Sequence, residues 1–295
     1  MNTGMQNNYE ENGEHDKAID AYKHALTDPN FSIPGDAWFN LGNNYEENGE
    51  HDKAIDAYKH ALTDPNFSIP GDAWFNLGNI YEDNGEYDKA IDAYKQTLAD
   101  PDFSITGNAW YNLGIAYNNI CEYDNAIDAY KRALSDPEFI AVGKAWGNLG
   151  KVYNDIGKHS KALDACQKAI GLSSHDALSY ALGNCGNAYL GLGFFDEALD
   201  VYLKALDYAT DEDSADFWHN IGNTYKKLRK YDDAVRAYLT ALKDCELDDP
   251  WDTWYELSVA YSKVRNCDKA AEAYKHALEY SKFDASKYPN PVEGA

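Results

Sequence analysis

The sequence predicts an all-α protein in which pairs of antiparallel helices stack on one another as a solenoid. Three observations predict this class. Residues 7–43 are identical to residues 43–79, and the same offset of 36 residues continues to the end of the chain without insertion or deletion. Apolar residues within each unit recur at helical spacing, and turn residues separate two such stretches. A fixed period of this length is typical of repeat architectures.

Residues 35–70 form one unit, and its first half predicts a helix. Asp36 is the expected N-cap, because a carboxylate there accepts a backbone N–H of the first turn. The apolar residues that follow share one helical face; they are Ala37, Trp38, Leu41, Gly42 and Tyr45. Gly49 is expected to end the helix, because glycine adopts the left-handed conformation after a helix C-terminus without steric cost.

The second half of the unit predicts another helix, antiparallel to the first. Asp52 lies in its first turn, where the helix dipole favours an acidic side chain. The apolar stripe of this helix is Ala54, Ile55, Tyr58, Ala61 and Leu62. Pro65 ends it, because proline lacks a backbone N–H and disfavours helical geometry in the preceding residue.

Small residues recur on the apolar faces of both helices. The first helices carry Gly42, Gly78, Gly114, Gly150, Gly186 and Gly222. The second helices carry Ala18, Ala54, Ala90, Ala126, Ala162, Ala198, Ala234 and Ala270. Small residues let the helices approach closely, and the large tryptophan, tyrosine and leucine side chains fill the space around them.

The residues that recur in each unit resemble the tetratricopeptide repeat signature in type and spacing. In the unit described above they are Trp38, Leu41, Gly42, Tyr45, Gly49, Ala54, Tyr58, Ala61 and Pro65. The resemblance extends over nearly the whole chain, although these units have 36 residues where about 34 is usual. It implies a right-handed superhelical solenoid of about eight antiparallel helix pairs, whose first helices line a concave groove. It also implies a scaffold or adaptor that binds an extended peptide or partner segment in that groove.

We expect a single solenoid over residues 1–286 and a C-terminal tail over residues 287–295. The expected units are approximately 1–34, 35–70, 71–106, 107–142, 143–178, 179–214, 215–250 and 251–286. Pro289 and Pro291 cannot continue a helix, and no capping helix follows. Because exposed solenoid ends invite association, self-association through stacked ends is the alternative function.

The composition argues against several classes of partner. The formal net charge of −24 disfavours nucleic acids and anionic membranes, which need a basic surface. The acidity favours either simple solubility or a preference for basic partners. The aromatic content of 14% argues against a disordered chain.

The five cysteines form no CxxC pair, so neither a disulfide framework nor a zinc site is expected. A reducing, cytoplasmic location is the simplest interpretation, since no signal peptide or membrane-spanning run is visible. No catalytic triad, metal-ligand set or glycine-rich phosphate loop stands out. We therefore expect no enzymatic activity, no cofactor and no metal.

Two asparagine columns on the predicted first helices are the main candidate site. The first column is Asn40, Asn76, Asn112, Asn148, Asn184 and Asn220. The second is Asn43, Asn79, Asn187 and Asn223. The first column is similar to the asparagine ladder of O-linked N-acetylglucosamine transferases, which implies that each carboxamide binds the backbone of an extended peptide. The alternative is that these side chains form hydrogen bonds with polar groups of neighbouring helices within the array.

A further column beside the asparagines combines aromatics with two glycines. It reads Phe39, Phe75, Tyr111, Gly147, Gly183, His219 and Tyr255. The glycines suggest a wider groove in the middle of the array, which could hold a bulky partner side chain. The alternative is that the aromatics pack within the array.

Charge along the predicted groove is uneven. Residues 35–106 carry 4 basic and 15 acidic residues, a net charge of −11, whereas residues 215–286 carry 11 basic and 13 acidic residues, a net charge of −2. Lys226 and Lys227 are candidate groove cations near the C-terminal end, where acidic ligand residues are expected. Lys144 and Lys151 lie beside the asparagines, but they match a chaperone-type carboxylate clamp poorly.

Overall fold

The computed structural model describes residues 15–28, 31–172, 174–243, 250–280 and 282–292. Every regular element in these ranges is an α-helix, which confirms the all-α prediction for this part of the chain. The helices are α1 (His15–Leu26), α2 (Pro34–Glu47), α3 (His51–Ala61), α4 (Pro70–Asp83), α5 (Tyr87–Ala99), α6 (Thr106–Asn119), α7 (Tyr123–Ser135), α8 (Val142–Asp155), α9 (His159–Leu172), α10 (His175–Leu192), α11 (Phe195–Leu206), α12 (Asp211–Lys227), α13 (Tyr231–Lys243), α14 (Trp251–Lys263) and α15 (Cys267–Leu278).

The chain separates into two compact halves, Met1–Ile140 and Ala141–Ala295. The N-terminal half contains α1 to α7, and the C-terminal half contains α8 to α15. Within each half, a first helix packs against the second helix of its own unit and against the second helix of the unit before it. Each helix pair is therefore packed against the next within a half, as stacking of helix pairs requires. A single solenoid over residues 1–286 stays a prediction.

A glycine and a tyrosine pack closely against each other between the two helices of a unit. A Cβ atom placed on Gly78 would lie 2.4 Å from the ring of Tyr94, and one on Gly42 would lie 2.6 Å from the ring of Tyr58. Both tyrosines are fully buried. Only a residue without a side chain fits at this position, because protein cores are packed too densely to absorb such an overlap.

In two units of the N-terminal half, an aspartate from the end of the unit caps the first helix of the same unit. Asp64 Oδ2 accepts a hydrogen bond from the Gly35 amide at 2.8 Å, and Asp100 Oδ2 accepts one from the Gly71 amide at 2.7 Å. These amides lie in the first helical turn, where backbone N–H groups have no partner within the helix. The cap thus links the two ends of a unit across 29 residues.

The prediction that Asp36 is the N-cap of its helix is wrong. Helix α2 begins at Pro34, its N-cap residue is Ile33, and that residue makes no side-chain capping bond. Asp36 lies within the first turn, where its carboxylate accepts a hydrogen bond from Ser68 Oγ at 2.8 Å.

The turns between paired helices contain a residue in the left-handed backbone conformation, as was predicted for Gly49. Gly49 has a φ of +72°, and the same turn one unit later has Gly85 at +72°. Three other turns hold a side chain in this conformation: Cys121 at 61°, Arg229 at 59° and Arg265 at 62°. For these residues Cβ crowds the backbone, so each turn carries local strain.

Residues 282–292, which end the last unit and begin the C-terminal tail, pack against the last helix pair through their aromatic side chains. The Tyr288 ring lies 5.1 Å from the rings of both Trp251 and Tyr255, and the Phe283 ring lies 5.6 Å from that of Tyr274. Tyr274 Oη also donates a hydrogen bond to the Tyr288 carbonyl at 3.0 Å.

The tail occupies the place that a further first helix would take. Tyr288 follows Asp252 by one repeat length, and Pro291 follows Tyr255 by the same distance. The Pro291 carbonyl accepts a hydrogen bond from Ser262 Oγ at 3.0 Å. The C-terminal end that was expected to be open is therefore covered by residues 282–292.

Asp136 follows Asp100 by one repeat length and accepts a hydrogen bond from the hydroxyl of Thr106, the first residue of α6, at 2.8 Å. Asp136→Ala should therefore lower stability by about 1 kcal/mol at neutral pH, a usual cost for losing a cap. Hydrogen bonds from the Glu138 amide and then the Thr106 hydroxyl hold the pKa of Asp136 below its ordinary value. Its contribution should be complete above about pH 4, the unfolded pKa, and disappear as the pH falls through the folded pKa. Urea unfolding of both proteins at several pH values measures this difference. Glu138→Ala, an exposed side chain, is the control, and a difference that persists at low pH would contradict the capping role.

Cys121→Gly should stabilise the protein by about 0.5–1 kcal/mol. Relief of the left-handed strain exceeds the entropy that glycine adds to the unfolded chain. The matched control is Gly85→Ala, where a new Cβ meets no atom within 4 Å, so only the backbone cost acts and stability should fall. Chemical denaturation measures both changes, and a loss of stability in Cys121→Gly would disprove the strain.

Candidate functional site

An open cavity of about 510 Å³ lies in the N-terminal half, on the face that carries both asparagine columns. It is lined by Asn43, Glu46 and Glu47 of α2 and by Asn76 of α4. The cavity therefore brings two of the predicted asparagines together with two carboxylates from the same helix.

A hydrogen-bond network centred on a buried tyrosine holds these side chains. Tyr58 Oη lies 2.7 Å from Asn43 Oδ1 and 2.6 Å from Glu46 Oε2, so its single proton serves one acceptor at a time. Asn76 Nδ2 lies 3.1 Å from both Asn43 Oδ1 and Tyr58 Oη. The first asparagine column of one unit thus bonds to the second column of the unit before it.

The same network repeats one unit later with the same residue types. Tyr94 Oη lies 2.9 Å from Asn79 Oδ1 and 2.9 Å from Glu82 Oε2. Asn112 Nδ2 donates to Asn79 Oδ1 at 2.9 Å. The amide orientations of Asn76 and Asn112 are therefore set by groups fixed in the core.

Burial sets the protonation of the network. It raises the pKa of Tyr58 and Tyr94 far above the ordinary range, with the nearby glutamates adding to the effect, so both phenols keep their protons as donors. Burial also raises the pKa of Glu82, and the charge of Asp83 adds to this, while the hydrogen bond from Tyr94 acts in the opposite direction. The face of the N-terminal half therefore carries a partly desolvated carboxylate.

The asparagines of the C-terminal half have different partners. Asn148 Oδ1 accepts from Tyr180 Oη at 3.0 Å, and the buried Asn184 directs Nδ2 toward the Gly147 carbonyl at 3.5 Å. Its own carbonyl accepts from Asn154 Nδ2 at 2.8 Å. The side chains of these two members of the first column thus form hydrogen bonds with a tyrosine hydroxyl and a backbone carbonyl.

The second column keeps its tyrosine contact in this half. Asn187 Oδ1 accepts from Tyr202 Oη at 2.6 Å, and Asn223 Oδ1 accepts from Tyr238 Oη at 2.8 Å. The remaining members of the first column, Asn40 and Asn220, are half-buried, and their carbonyls accept side-chain hydrogen bonds within their own helices.

The four lysines predicted to line the groove differ in whether an acidic side chain of the same chain pairs with them. Lys151 Nζ lies 3.1 Å from Asp155, and Lys226 forms an ion pair with Glu256 in which both side chains are mostly buried. Lys144 and Lys227 are exposed. The charge of Lys226 is therefore largely compensated within the chain.

The aromatic column packs within the repeats. Phe39 lies 5.6 Å from Tyr58 and 5.7 Å from Phe67 between ring centroids. Phe75 and Tyr111 make the corresponding contacts in the next two units. This outcome matches the alternative in which these aromatics belong to the core.

The expected wider groove at the two glycines is not what the structure shows. A Cβ on Gly147 would lie 3.2 Å from the Tyr180 ring, and one on Gly183 would lie 2.6 Å from the Phe217 ring. Aromatic side chains from the next unit fill the space that the glycines leave.

Sequence reasoning counted Glu46 and Glu82 among the acidic residues of the predicted groove but missed the tyrosine hydroxyls as parts of the site. The tyrosines were assigned to the core, and only their rings are core. A signal was available: an asparagine and a glutamate precede Tyr58 and Tyr94 by 15 and 12 residues in both units.

No described helix is both long enough and apolar enough to cross a bilayer. Within the same ranges, no three histidine, cysteine, aspartate or glutamate side chains cluster so that they could hold a metal ion.

Family models described as tetratricopeptide repeat match most of the chain. The matched segments are residues 35–63, 71–99, 107–135, 142–211, 215–247 and 252–284. No curated protein sequence matches the chain significantly.

Solved structures with this fold resemble the chain over different lengths. A crystal structure of MamA is 34% identical with a TM-score of 0.51 and covers 57% of this chain and 94% of its own. A tetratricopeptide repeat protein from Parabacteroides merdae is 15% identical with a TM-score of 0.67, covering 88% of this chain and 97% of its own. In the hetero-tetramer of Cut9 and Hcn1 from the APC/C, the match is 19% identical with a TM-score of 0.66, covering 95% of this chain but 52% of the other. The last two likenesses concern the fold alone.

Tyr94→Phe should lower the free energy of unfolding by about 1 kcal/mol, because the partly buried Asn79 amide and Glu82 carboxylate around its hydroxyl lose a donor. The matched control is Tyr202→Phe, whose hydroxyl bonds to Asn187 alone among the described residues, so its loss should be smaller. The pKa of Glu82, followed by NMR titration, should rise further in Tyr94→Phe, since the hydrogen bond that lowers it is gone. Equal losses of stability and an unchanged Glu82 titration would show that the network has no energetic role.

Proposed function

Because the chain belongs to the tetratricopeptide repeat family, we propose that it is a non-catalytic scaffold that binds an extended peptide segment of a partner protein. The asparagine faces of the first helices are the proposed binding surface. The observation that carries this proposal is the cavity of about 510 Å³ lined by asparagine and glutamate side chains that a buried tyrosine holds in place.

The chemistry of the asparagines supports backbone recognition. The hydrogen bonds of Asn76 and Asn112 described above use Nδ2. We propose that Oδ1 of each amide accepts an N–H from the bound peptide. Because the network fixes these amides before binding, little side-chain entropy is lost when the peptide binds.

Charge indicates the kind of peptide that the N-terminal half binds. Helices α2, α4 and α6 contain no lysine, arginine or histidine, whereas α2 and α4 end in Glu46–Glu47 and Glu82–Asp83. We propose that lysine or arginine side chains of the partner lie beside these acids. In the C-terminal half, the exposed Lys144 and Lys227 are the proposed partners of acidic peptide residues, since Lys151 and Lys226 are already paired.

Self-association through stacked ends has less support than peptide binding. The tail covers the last helix pair with Phe283 and Tyr288, so the surface that a second copy would need at this end is occupied. Light scattering over a hundredfold range of concentration separates the two functions. A constant monomer mass fits the peptide scaffold, whereas a mass that grows with concentration would favour stacking.

The test of peptide binding begins with selection of random 12-residue peptides on the full chain. Selected peptides are then measured by fluorescence anisotropy against variants. Asn112→Ala should weaken binding of peptides that occupy the N-terminal half by about fivefold or more, the value of roughly one good hydrogen bond. Asn119→Ala is the matched control, because Asn119 is exposed on the same helix and, within the part of the chain that the structure describes, its side chain bonds to the Ile115 carbonyl alone.

The outcomes of this test are distinct. Enrichment of basic peptides whose binding falls in Asn112→Ala and weakens with salt supports the proposal, since exposed charge pairs are screened. Failure to enrich any peptide, or equal affinity in both variants when circular dichroism shows native folding, would disprove it.

A further inference from the structure

A second cavity, of about 380 Å³, lies in the N-terminal half beside helices α5, α6 and α7. The half-buried rings of Trp110 and Tyr117 line it from α6. The exposed side chains of Lys95, Asn125 and Asp128 line it from the two second helices. A cavity of this volume, with aromatic walls and a few polar groups, is within the size range of ligand pockets.

The two preceding units show which group lies beside the corresponding tyrosine. Lys53 Nζ lies 5.4 Å from the centre of the Tyr45 ring, and Lys89 Nζ lies 5.4 Å from the centre of the Tyr81 ring. Each of these lysines also forms an ion pair with the glutamate three residues before it. An aromatic ring and a carboxylate therefore hold one ammonium group in each unit.

The third unit keeps the tyrosine and the glutamate but not the lysine. Tyr117 and Glu122 stand in the tyrosine and glutamate positions, whereas Asn125 replaces the residue that corresponds to Lys89. The turn is the same, because the Glu122 amide donates to the Tyr117 carbonyl at 2.9 Å, as its counterpart does one unit earlier at 2.7 Å. The shorter Asn125 side chain donates from Nδ2 to Glu122 Oε2 at 2.6 Å, and the cavity lies between Asn125 and the tyrosine ring.

This combination of residues occurs once in the sequence. The other units with a glutamate at this turn all have the lysine three residues later, in the pairs Glu14 and Lys17, Glu50 and Lys53, and Glu86 and Lys89. The later units have no acidic residue at the turn; they have Lys158, Phe194, Lys230 and Asn266. The third unit is therefore the one that supplies the carboxylate and the ring without the lysine.

A lysine from the preceding helix does not exclude a further cation from this site. Lys95 Nζ lies 5.6 Å from the centre of the Tyr117 ring. One unit earlier, Lys59 Nζ lies 6.0 Å from the Tyr81 ring, which also has Lys89 at 5.4 Å. One tyrosine ring thus accommodates two ammonium groups.

We propose that this cavity binds a lysine side chain of a partner protein, with its ammonium over the Tyr117 ring and paired with Glu122. The occupant is a lysine because the chain places a lysine of its own at the equivalent position in the two preceding units. The carboxylate of Asp128 is already paired, since Arg132 Nε donates to it at 2.7 Å, so Glu122 is the acid that selects the cation.

The lysine site is separate from the asparagine face. Asn112 follows Trp110 by two residues on α6, which corresponds to about 200° of rotation around the helix. Binding at the lysine cavity is therefore independent of the peptide binding proposed above, and the two are tested with different variants.

The experiment titrates the full chain with Nα-acetyl-lysine methylamide and follows the Trp110 indole N–H by NMR, with Trp110→Phe to assign the signal. We expect a saturable shift of this signal. The uncharged norleucine analogue has the same alkyl chain and should bind at least threefold more weakly. Glu122→Gln should weaken binding of the lysine probe about threefold, as expected for an exposed ion pair.

Matched variants test whether the missing lysine creates the site. Asn125→Lys supplies the side chain from the chain itself and should abolish the Trp110 shift, whereas Asn125→Ala should keep it. Lys89→Asn reproduces the combination one unit earlier and should add a second site, reported by the indole N–H of Trp74. All of these positions except the tryptophan are exposed, and circular dichroism checks that each variant is folded.

Three results would overturn the proposal. The first is equal binding of the lysine and norleucine probes, and the second is an unchanged Trp110 shift in folded Asn125→Lys. The third is tighter binding of 1,4-diaminobutane than of the lysine probe, because the site would then belong to a free polyamine.

Discussion

The contact between a first-helix glycine and a second-helix tyrosine determines how closely the two helices of each unit approach. Gly78 faces the ring of Tyr94 at a distance that leaves no space for a side chain. The same tyrosine places its hydroxyl against Asn79 and Glu82. One side chain thus forms the core with its ring and orients the candidate site with its oxygen. The candidate site therefore depends directly on the tightest packing in the unit.

This dependence explains why the two halves of the chain differ. In the N-terminal half, Tyr58 and Tyr94 each organise an asparagine pair and a glutamate. In the fifth unit Cys166 stands in the tyrosine position, so the second helix supplies no phenol, and Asn148 accepts its hydrogen bond from Tyr180 of the next unit instead. The groups there are the buried Cys166 thiol and a buried Asn184 that turns to a backbone carbonyl. A single change at the packing position thus alters the chemistry of the surface beside it.

The electrostatics of the N-terminal half follow from the same arrangement. Glu46 and Glu82 lie beside buried phenols, and burial raises the pKa of Glu82. Placing a carboxylate where water is partly excluded costs free energy, and a cationic side chain from a partner would offset that cost. The local chemistry therefore favours a basic ligand, whereas the net charge alone is equally consistent with simple solubility.

The sequence by itself determined the fold class, the repeat length, the helix pairs and the left-handed turn at Gly49, because each depends on residues close together in the chain. It also identified the asparagine columns but left their role open between peptide binding and internal bonding. Only the tertiary structure decided that Asp64 caps α2 and that Tyr58 joins the two asparagine columns. It also decided that Tyr180 fills the space beside Gly147 and that the tail covers the last helix pair. These contacts join residues 15 to 33 positions apart, and a periodic sequence offers several equivalent partners at such distances. Side-chain direction and helix packing select among them, and neither can be read from spacing alone.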